Sequence, residues 1–371
     1  MNNLTKRILI ILSVLLLLLS NAGCSAPETS ISVTWVDADG SILATETVPS
    51  DYDPCARQLP DGGNQWHYTG WQLTNSGDIV VCSATRVAMQ HFVWKDYDDT
   101  ILYEVHSPEN EEAPTFDLPE STEKWSYTQW TSTGSSTEFI YKAKREPNEN
   151  YFLGNVFQII LMAKNGDVLS SGSGFVINKD GWFITNNHVM EDAYSAVAFF
   201  DIRDSTNGQQ YTQLNILGGV YHDAEKDIFI GKLEGYSKIS EYYKDIVFTE
   251  DYTQEEVSYS VGYPNSSTKL QISAGTISEE YSDIYSKIKG VFYILSDSYI
   301  APGSSGGILV NENFDVIGIT SIAFYADANK QHFTSGGSIP YFVFKNALTQ
   351  LSDNRIVPLY DIYNIEQKEG D

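Results

Sequence analysis

Three side chains in this sequence have the types and settings to break an acyl bond together. Hydrolysis by a serine needs a nucleophilic hydroxyl, an imidazole to take its proton, and a carboxylate to fix the tautomer of that imidazole. His188 sits in Trp182-Phe183-Ile184-Thr185-Asn186-Asn187-His188-Val189, and Asp227 opens the apolar run Ile228-Phe229-Ile230. Ser305 lies in Gly303-Ser304-Ser305-Gly306-Gly307, where glycines let the backbone turn tightly and bring N–H groups toward a developing oxyanion. Alone, such a run reads equally as a flexible loop; the order His, Asp, Ser along the chain gives it catalytic meaning. Asp223 and Asp201 are rival acids, but neither leads an apolar strand directly. His222 and His332 stand alone, and no metal-ligand spacing or cofactor motif is present.

These residues need a rigid frame, and the sequence predicts a β one. From Tyr151 to about Leu351 short β-branched segments alternate with Gly, Asn and Asp turns, the pattern of an all-β sandwich or barrel. Ser173-Gly174-Phe175-Val176-Ile177, a turn at Asn178-Lys179-Asp180-Gly181 and the strand after it form a hairpin that delivers His188. Residues 151–355 are read as one domain and 356–371 as a polar tail.

Ser173-Gly174-Phe175 with Thr185-Asn186-Asn187-His188-Val189, Asp227 before its apolar strand, and Gly-Ser-Ser-Gly-Gly around Ser305 resemble trypsin-like serine proteases, most closely the bacterial HtrA-type (Deg) group. Val261-Gly262-Tyr263-Pro264 and Ser273-Ala274-Gly275-Thr276-Ile277 extend the likeness. The resemblance implies a mainly β, two-barrel chymotrypsin-like domain with a cleft between six-stranded barrels. It implies oxyanion donors at the backbone N–H of Gly303 and Ser305, and a substrate-binding strand at Ile319, Thr320 and Ser321. It also implies a specificity-pocket wall at Ser338. Ser304 departs from the usual Asn or Asp, which puts the resting shape of the oxyanion hole in doubt. No Asp lies near Ser338, so a small or medium apolar side chain is expected in the pocket rather than Lys or Arg.

The N-terminal part has a different organisation. Lys6 and Arg7 before the apolar run Ile8 to Leu19 predict a secretory signal peptide over residues 1–23, too short to span a membrane permanently. Ala22-Gly23-Cys24 resembles the end of a bacterial lipobox, with Asn21 in place of the usual Leu, which implies lipidation of Cys24 and a membrane anchor. Cleavage after Ala22 without lipid is the alternative; either way the chain is expected outside the cytoplasm, where a Cys55–Cys82 disulfide can persist.

Trp35, Trp66 and Trp71 recur 59 residues later as Trp94, Trp125 and Trp130, which marks repeats at 31–86 and 90–145. Their tryptophans are expected to be core residues. Val33-Thr34-Trp35-Val36-Asp37 through Gly70-Trp71 resembles the β-grasp repeats of bacterial surface proteins of the internalin B-repeat type, which implies a spacer or protein-binding module. A charged, Pro-containing linker at 145–150 separates the repeats from the peptidase-like region. The net charge of −26 argues against nucleic acid as a partner. Protein or peptide substrates are expected and self-association is left open. A rival reading keeps the same fold as a latent, protease-like binding or adhesion protein.

Overall fold

The computed structural model describes residues 30–76, 79–109, 111–134, 138–204, 208–282, 292–327, 329 and 332–365. The signal peptide and Cys24 lie outside the described residues. The chain divides into two compact units, one of residues 1–120 and 127–146, the other of residues 121–126 and 147–371.

The first unit is a seven-stranded sheet of β1 (Ser30–Val36), β2 (Ile42–Pro49), β3 (Trp66–Ser76), β4 (Ile79–Lys95), β5 (Ile101–Pro108), β6 (Trp125–Gly134) and β7 (Glu138–Pro147). The long β4 serves both halves: its start pairs parallel with β1 and its end parallel with β7, Trp35 opposite Cys82 and Trp94 opposite Tyr141. Side-chain bonds recur at the same 59-residue offset. Tyr68 OH donates to Asp37 Oδ1 (2.7 Å) as Tyr127 OH does to Asp96 Oδ1 (2.9 Å). Trp71 Nε1 donates to Arg57 O (2.8 Å) as Trp130 Nε1 does to Phe116 O (3.0 Å). Trp35 and Trp94 are core residues, whereas Trp66 is 36% exposed beneath the Arg86 guanidinium. Among the described residues Cys55 and Cys82 are free thiols, the first exposed and the second buried, so the bridge expected as one option is not made. Burial, with Cys55 beside it, pushes the Cys82 thiol up to about 11.

The second unit contains two closed six-stranded barrels. The first is built from β8 (Val156–Met162), β9 (Val168–Val176), β10 (Trp182–Thr185), β11 (Ser195–Asp204), β12 (Gly208–Asp223) and β13 (Ile228–Leu233). The second uses β14 (Val257–Gly262), β15 (Gln271–Ser282), β16 (Phe292–Ser296), β17 (Ile308–Asn311), β18 (Val316–Tyr325) and β19 (Phe333–Pro340). Two closed barrels in one unit are the chymotrypsin-like fold, in which closure removes the exposed strand edges an open sheet would leave. Phe157, Ile159 and Leu161, alternating along β8, fill the first barrel with Phe183, Phe200 and Phe229.

Two stretches read as lying outside the peptidase-like domain count with this unit. Trp125 is 8% exposed, its ring 4.6 Å from Phe314 and 5.7 Å from Tyr259. The stretch read as a polar tail starts with packed residues: Val357 bridges Gly219, and Leu359 is 3% exposed in the first-barrel core.

Candidate active site

The hairpin of β9 and β10 turns at Asn178, whose side-chain oxygen accepts from Asp180 N (3.1 Å) and Trp182 N (3.3 Å). After β10 a one-turn helix, Asn187–Met190, carries His188, whose side chain remains 47% exposed. Asp223 Oδ1 accepts from Glu225 N (3.0 Å) and Lys226 N (2.9 Å), shaping the turn that ends at Asp227. Asp223 is thereby employed in a turn, and Asp201 lies on β11 opposite Tyr211. Neither rival acid is the partner of His188.

Asp227 is 4% exposed and has a positive φ of 58°, an uncommon backbone conformation for a non-glycine residue. Its carboxylate collects donors from two elements. Oδ1 accepts from the His188 backbone N (2.9 Å), Nδ1 of His188 lies 2.8 Å from Oδ2 and 3.0 Å from Oδ1, and Ser321 Oγ donates to Oδ2 (2.9 Å). A carboxylate facing Nδ1 holds the proton on that nitrogen and leaves Nε2 as the acceptor. Asn186, fully buried, donates from Nδ2 to Asp227 O (3.2 Å).

The nucleophile candidate meets the same hub. Ser305 Oγ donates to Ser321 O at 2.9 Å, so Ser321 touches Asp227 with its hydroxyl and Ser305 with its carbonyl. In this resting arrangement the hydroxyl bond of Ser305 goes to Ser321 and not to His188. Gly306 follows with φ 86°, and a Cβ there would fall 2.0 Å from both Ser173 O and Thr185 Oγ1, so only glycine fits.

The expected substrate strand is placed differently in detail. Ile319 is fully buried in the core, paired with Ile308 and Ile339, so it is not a cleft residue. Thr320 Oγ1 lies 3.2 Å from Ser260 Oγ, and Thr320 helps line a cavity of about 140 Å³ with Ser260, Gln271, Ser273, Tyr299 and Ser304. Successive side chains of a strand point to opposite faces, so Ile319 enters the core and Thr320 faces the cavity, which the motif reading did not resolve. Ser338, 3% exposed, pairs with Thr320; beside it Gly336 pairs with Ala323 and faces Ile300, whose Cδ1 a Cβ would meet at 3.0 Å. The sequence reading missed Ser321 as a ligand of Asp227 and missed Tyr363, whose OH donates to Asn187 Oδ1 (3.0 Å). Burial pushes the Tyr363 phenol up, so it remains a donor.

Residues 172–319 match the family model of the trypsin-like peptidase domain. The chain carries a trypsin-like peptidase domain. Among curated relatives, a protein of Chlamydia muridarum named "Probable periplasmic serine endoprotease DegP-like" is 27% identical over 50% of this chain and 34% of its own length. A protein of the same name from Pseudomonas putida is 33% identical over 42% of this chain and 29% of its own length. The chain thus spans about a third of the length of these relatives. Among solved structures, the "HtrA-type protease AlgW with tripeptide" aligns with a TM-score of 0.44 at 20% identity, covering 56% of this chain and 64% of the other. Among the described residues of the domain no group of His, Cys, Asp or Glu has metal-site geometry.

Proposed function

We propose that the chain is an exported serine endopeptidase that hydrolyses peptide bonds of extracytoplasmic proteins through His188, Asp227 and Ser305. The observation that carries this reading is the hub at Ser321, where the acid that orients His188 and the hydroxyl of Ser305 converge on one residue. On substrate binding, Ser305 Oγ turns from Ser321 O to His188 Nε2 and attacks the scissile carbonyl while its proton passes to Nε2. The Nε2 proton then goes to the leaving amine as the C–N bond breaks, leaving an acyl-enzyme. Water, deprotonated by the same nitrogen, attacks the ester and releases the acid and free Ser305. Asp227 keeps its negative charge throughout and stabilises the imidazolium.

Beyond Ile319, β18 parts from β17 and continues in register with β19 as far as Tyr325, an arrangement that suits the addition of an extended peptide along this strand. Ile300, Ala323, Gly336 and Ser338 bring no carboxylate to the pocket, which favours a small or medium apolar side chain before the cleaved bond. Export is supported by the N-terminal charged and apolar segments and by relatives whose printed name is periplasmic. In the same reading Cys24 carries the lipid anchor, and Cys24→Ser moves the protein from the membrane pellet to the soluble fraction. The N-terminal repeats act as β-grasp-like spacers, a role supported by the parallel pairing of first and last strand in each.

The resting bond from Ser305 to Ser321 favours the rival reading of a latent, binding-only domain. A fluorophosphonate probe decides between them. Labelling of the wild type that is lost in Ser305→Ala and His188→Ala supports the peptidase; an unlabelled, folded wild type supports the latent protein.

A further inference from the structure

An oxyanion hole needs the N–H groups of residues 303 and 305 aimed at one point. A peptide unit is planar and trans, so each N–H is aimed by fixing the carbonyl on the opposite side of the same unit. Every carbonyl of this loop from Pro302 to Ser305 is fixed. Pro302 O accepts from Asn265 N (2.6 Å), Gly303 O from Ser173 Oγ (2.7 Å), Ser304 O from Gly307 N (3.0 Å), and Ser305 O from Ser173 N (2.8 Å). Ser304 N donates to Ala301 O (2.9 Å), and Ser304 Oγ accepts from Ala301 N (3.2 Å). Among the described residues no acceptor is paired with the N–H of Gly303 or of Ser305, the two groups the chemistry requires.

Three of these fixings come from outside the loop: Asn265 N, in the turn after Tyr263, holds the unit that carries the Gly303 N–H, and Ser173 holds Gly303 O with its hydroxyl and Ser305 O with its N–H. Asn265 and Ser266 both have left-handed backbones, φ 54° and 55°, a strained conformation that two successive non-glycine residues rarely share. That turn sets Asn265 N against Pro302 O, while Gly303 packs so close that a Cβ would lie 2.6 Å from Tyr263 O. Ser173 ties the turn to the loop. It is fully buried, and its hydroxyl accepts from Tyr263 N (2.9 Å), so its single proton goes to Gly303 O, fixing the Gly303–Ser304 peptide unit that joins the two units bearing the oxyanion N–H groups. Its own carbonyl accepts from Thr185 Oγ1 (2.6 Å), on the strand leading to His188.

We propose that Ser173 is a positioning residue for catalysis, its hydroxyl holding the oxyanion loop in its transition-state-binding geometry before substrate arrives. This rests on the peptidase reading and deepens it. With Ser304 where Asn or Asp is usual, the loop's own side chain supplies one bond, to Ala301 N, and Ser173 and the Asn265 turn supply the fixings from outside.

The test compares wild type, Ser173→Ala and Ser173→Cys on fluorescent casein, with thermal unfolding measured in parallel. A donor that aims the oxyanion hole acts on the transition state, so kcat falls in the order Ser, Cys, Ala. The fall is roughly 10- to 100-fold for Ala, below the cost of deleting an oxyanion donor outright, while KM stays within about twofold. A kcat within about twofold of wild type in folded Ser173→Ala overturns the proposal and leaves the peptidase intact. So does a loss of kcat that only follows the unfolded fraction at the assay temperature. If Ser173→Ala does not fold, the folded Ser173→Cys variant carries the same criterion. A wild type that neither cleaves casein nor takes the fluorophosphonate label overturns the peptidase reading and this proposal with it.

Discussion

At the scale of single residues, the carboxylate of Asp227 decides whether His188 can act. It accepts a hydrogen bond from Nδ1–H in a nearly buried site, where a hydrogen bond to a charged group is worth about 1.5–3 kcal/mol. Asp227→Asn keeps the shape but replaces an acceptor by an amide that also donates, so the imidazole is held in the wrong tautomer. The expected result is a fall in kcat of about 10⁴-fold with the fold unchanged, measured on the same casein assay. Ser321→Ala removes one donor to Oδ2 and leaves the backbone carbonyl that receives Ser305. A fall of only about 10-fold is expected, because the backbone N and Nδ1 of His188 still hold the carboxylate. The difference between these two variants tests whether Ser321 supports the acid or belongs to the substrate strand, as its position in the motif implied. His188, Asp227 and Ser305 could be picked out in the sequence as candidates because each has a distinctive chemical type beside an apolar strand or a glycine turn. Ser173 and Ser321 could not, since their roles depend on contacts across 130 and 94 residues of chain, which no local pattern records.

Among the elements, the C-terminal segment shows how a short run can escape a sequence reading. Ile356, Leu359, Ile362 and Ile365 are spaced at three residues, the period of a helical face, but the helix they form is the single turn Leu359–Ile362. One turn is too short for periodicity to stand out, and the surrounding Asn, Gln, Lys and Glu made the stretch read as a polar tail. Its packing is specific nonetheless: Val357 exchanges backbone bonds with Gly219 in both directions (2.8 and 2.9 Å), and Gly219 lies on β12 of the first barrel. Tyr363 then reaches Asn187, next to His188. Truncation after Arg355 therefore exposes part of the first-barrel core and frees Asn187. It is expected to lower the activity half-life at elevated temperature and to reduce kcat, whereas Tyr363→Phe, which keeps the packing, reduces kcat by a few-fold with little change in half-life. Equal losses of stability in both variants would show that the phenol hydroxyl serves packing rather than the site.

For the molecule as a whole, the two tryptophans Trp66 and Trp125 provide a controlled comparison. They occupy equivalent positions 59 residues apart, and the sequence treated them alike as core residues. The structure gives them different surroundings. Trp66 is 36% exposed with Arg86 4.0 Å above its ring, whereas Trp125 is 8% exposed and counts with the peptidase unit against Phe314 and Tyr259. Neighbouring residues extend the attachment: Lys124 Nζ donates to Asn313 O (2.6 Å), and Glu123 pairs with Lys244. The repeat period could not reveal this, because it reports common ancestry of positions and not their partners. Replacing a buried Trp by Ala costs about 3–5 kcal/mol, and a unit of this size loses a few degrees per kcal/mol. Trp125→Ala in the full chain is thus expected to lower the temperature at which casein cleavage is lost by on the order of 10 °C. Trp66→Ala forfeits an exposed cation–π contact of about 0.5–1 kcal/mol and is expected to leave that temperature within about 2 °C of wild type. Because the peptidase unit takes residues 121–126 from within the second repeat, deleting the repeats through residue 145 is expected to destabilise the peptidase by at least as much as Trp125→Ala. A deletion that ends before Ser121 is expected to preserve its thermal stability, which separates loss of a recruiting module from loss of the fold.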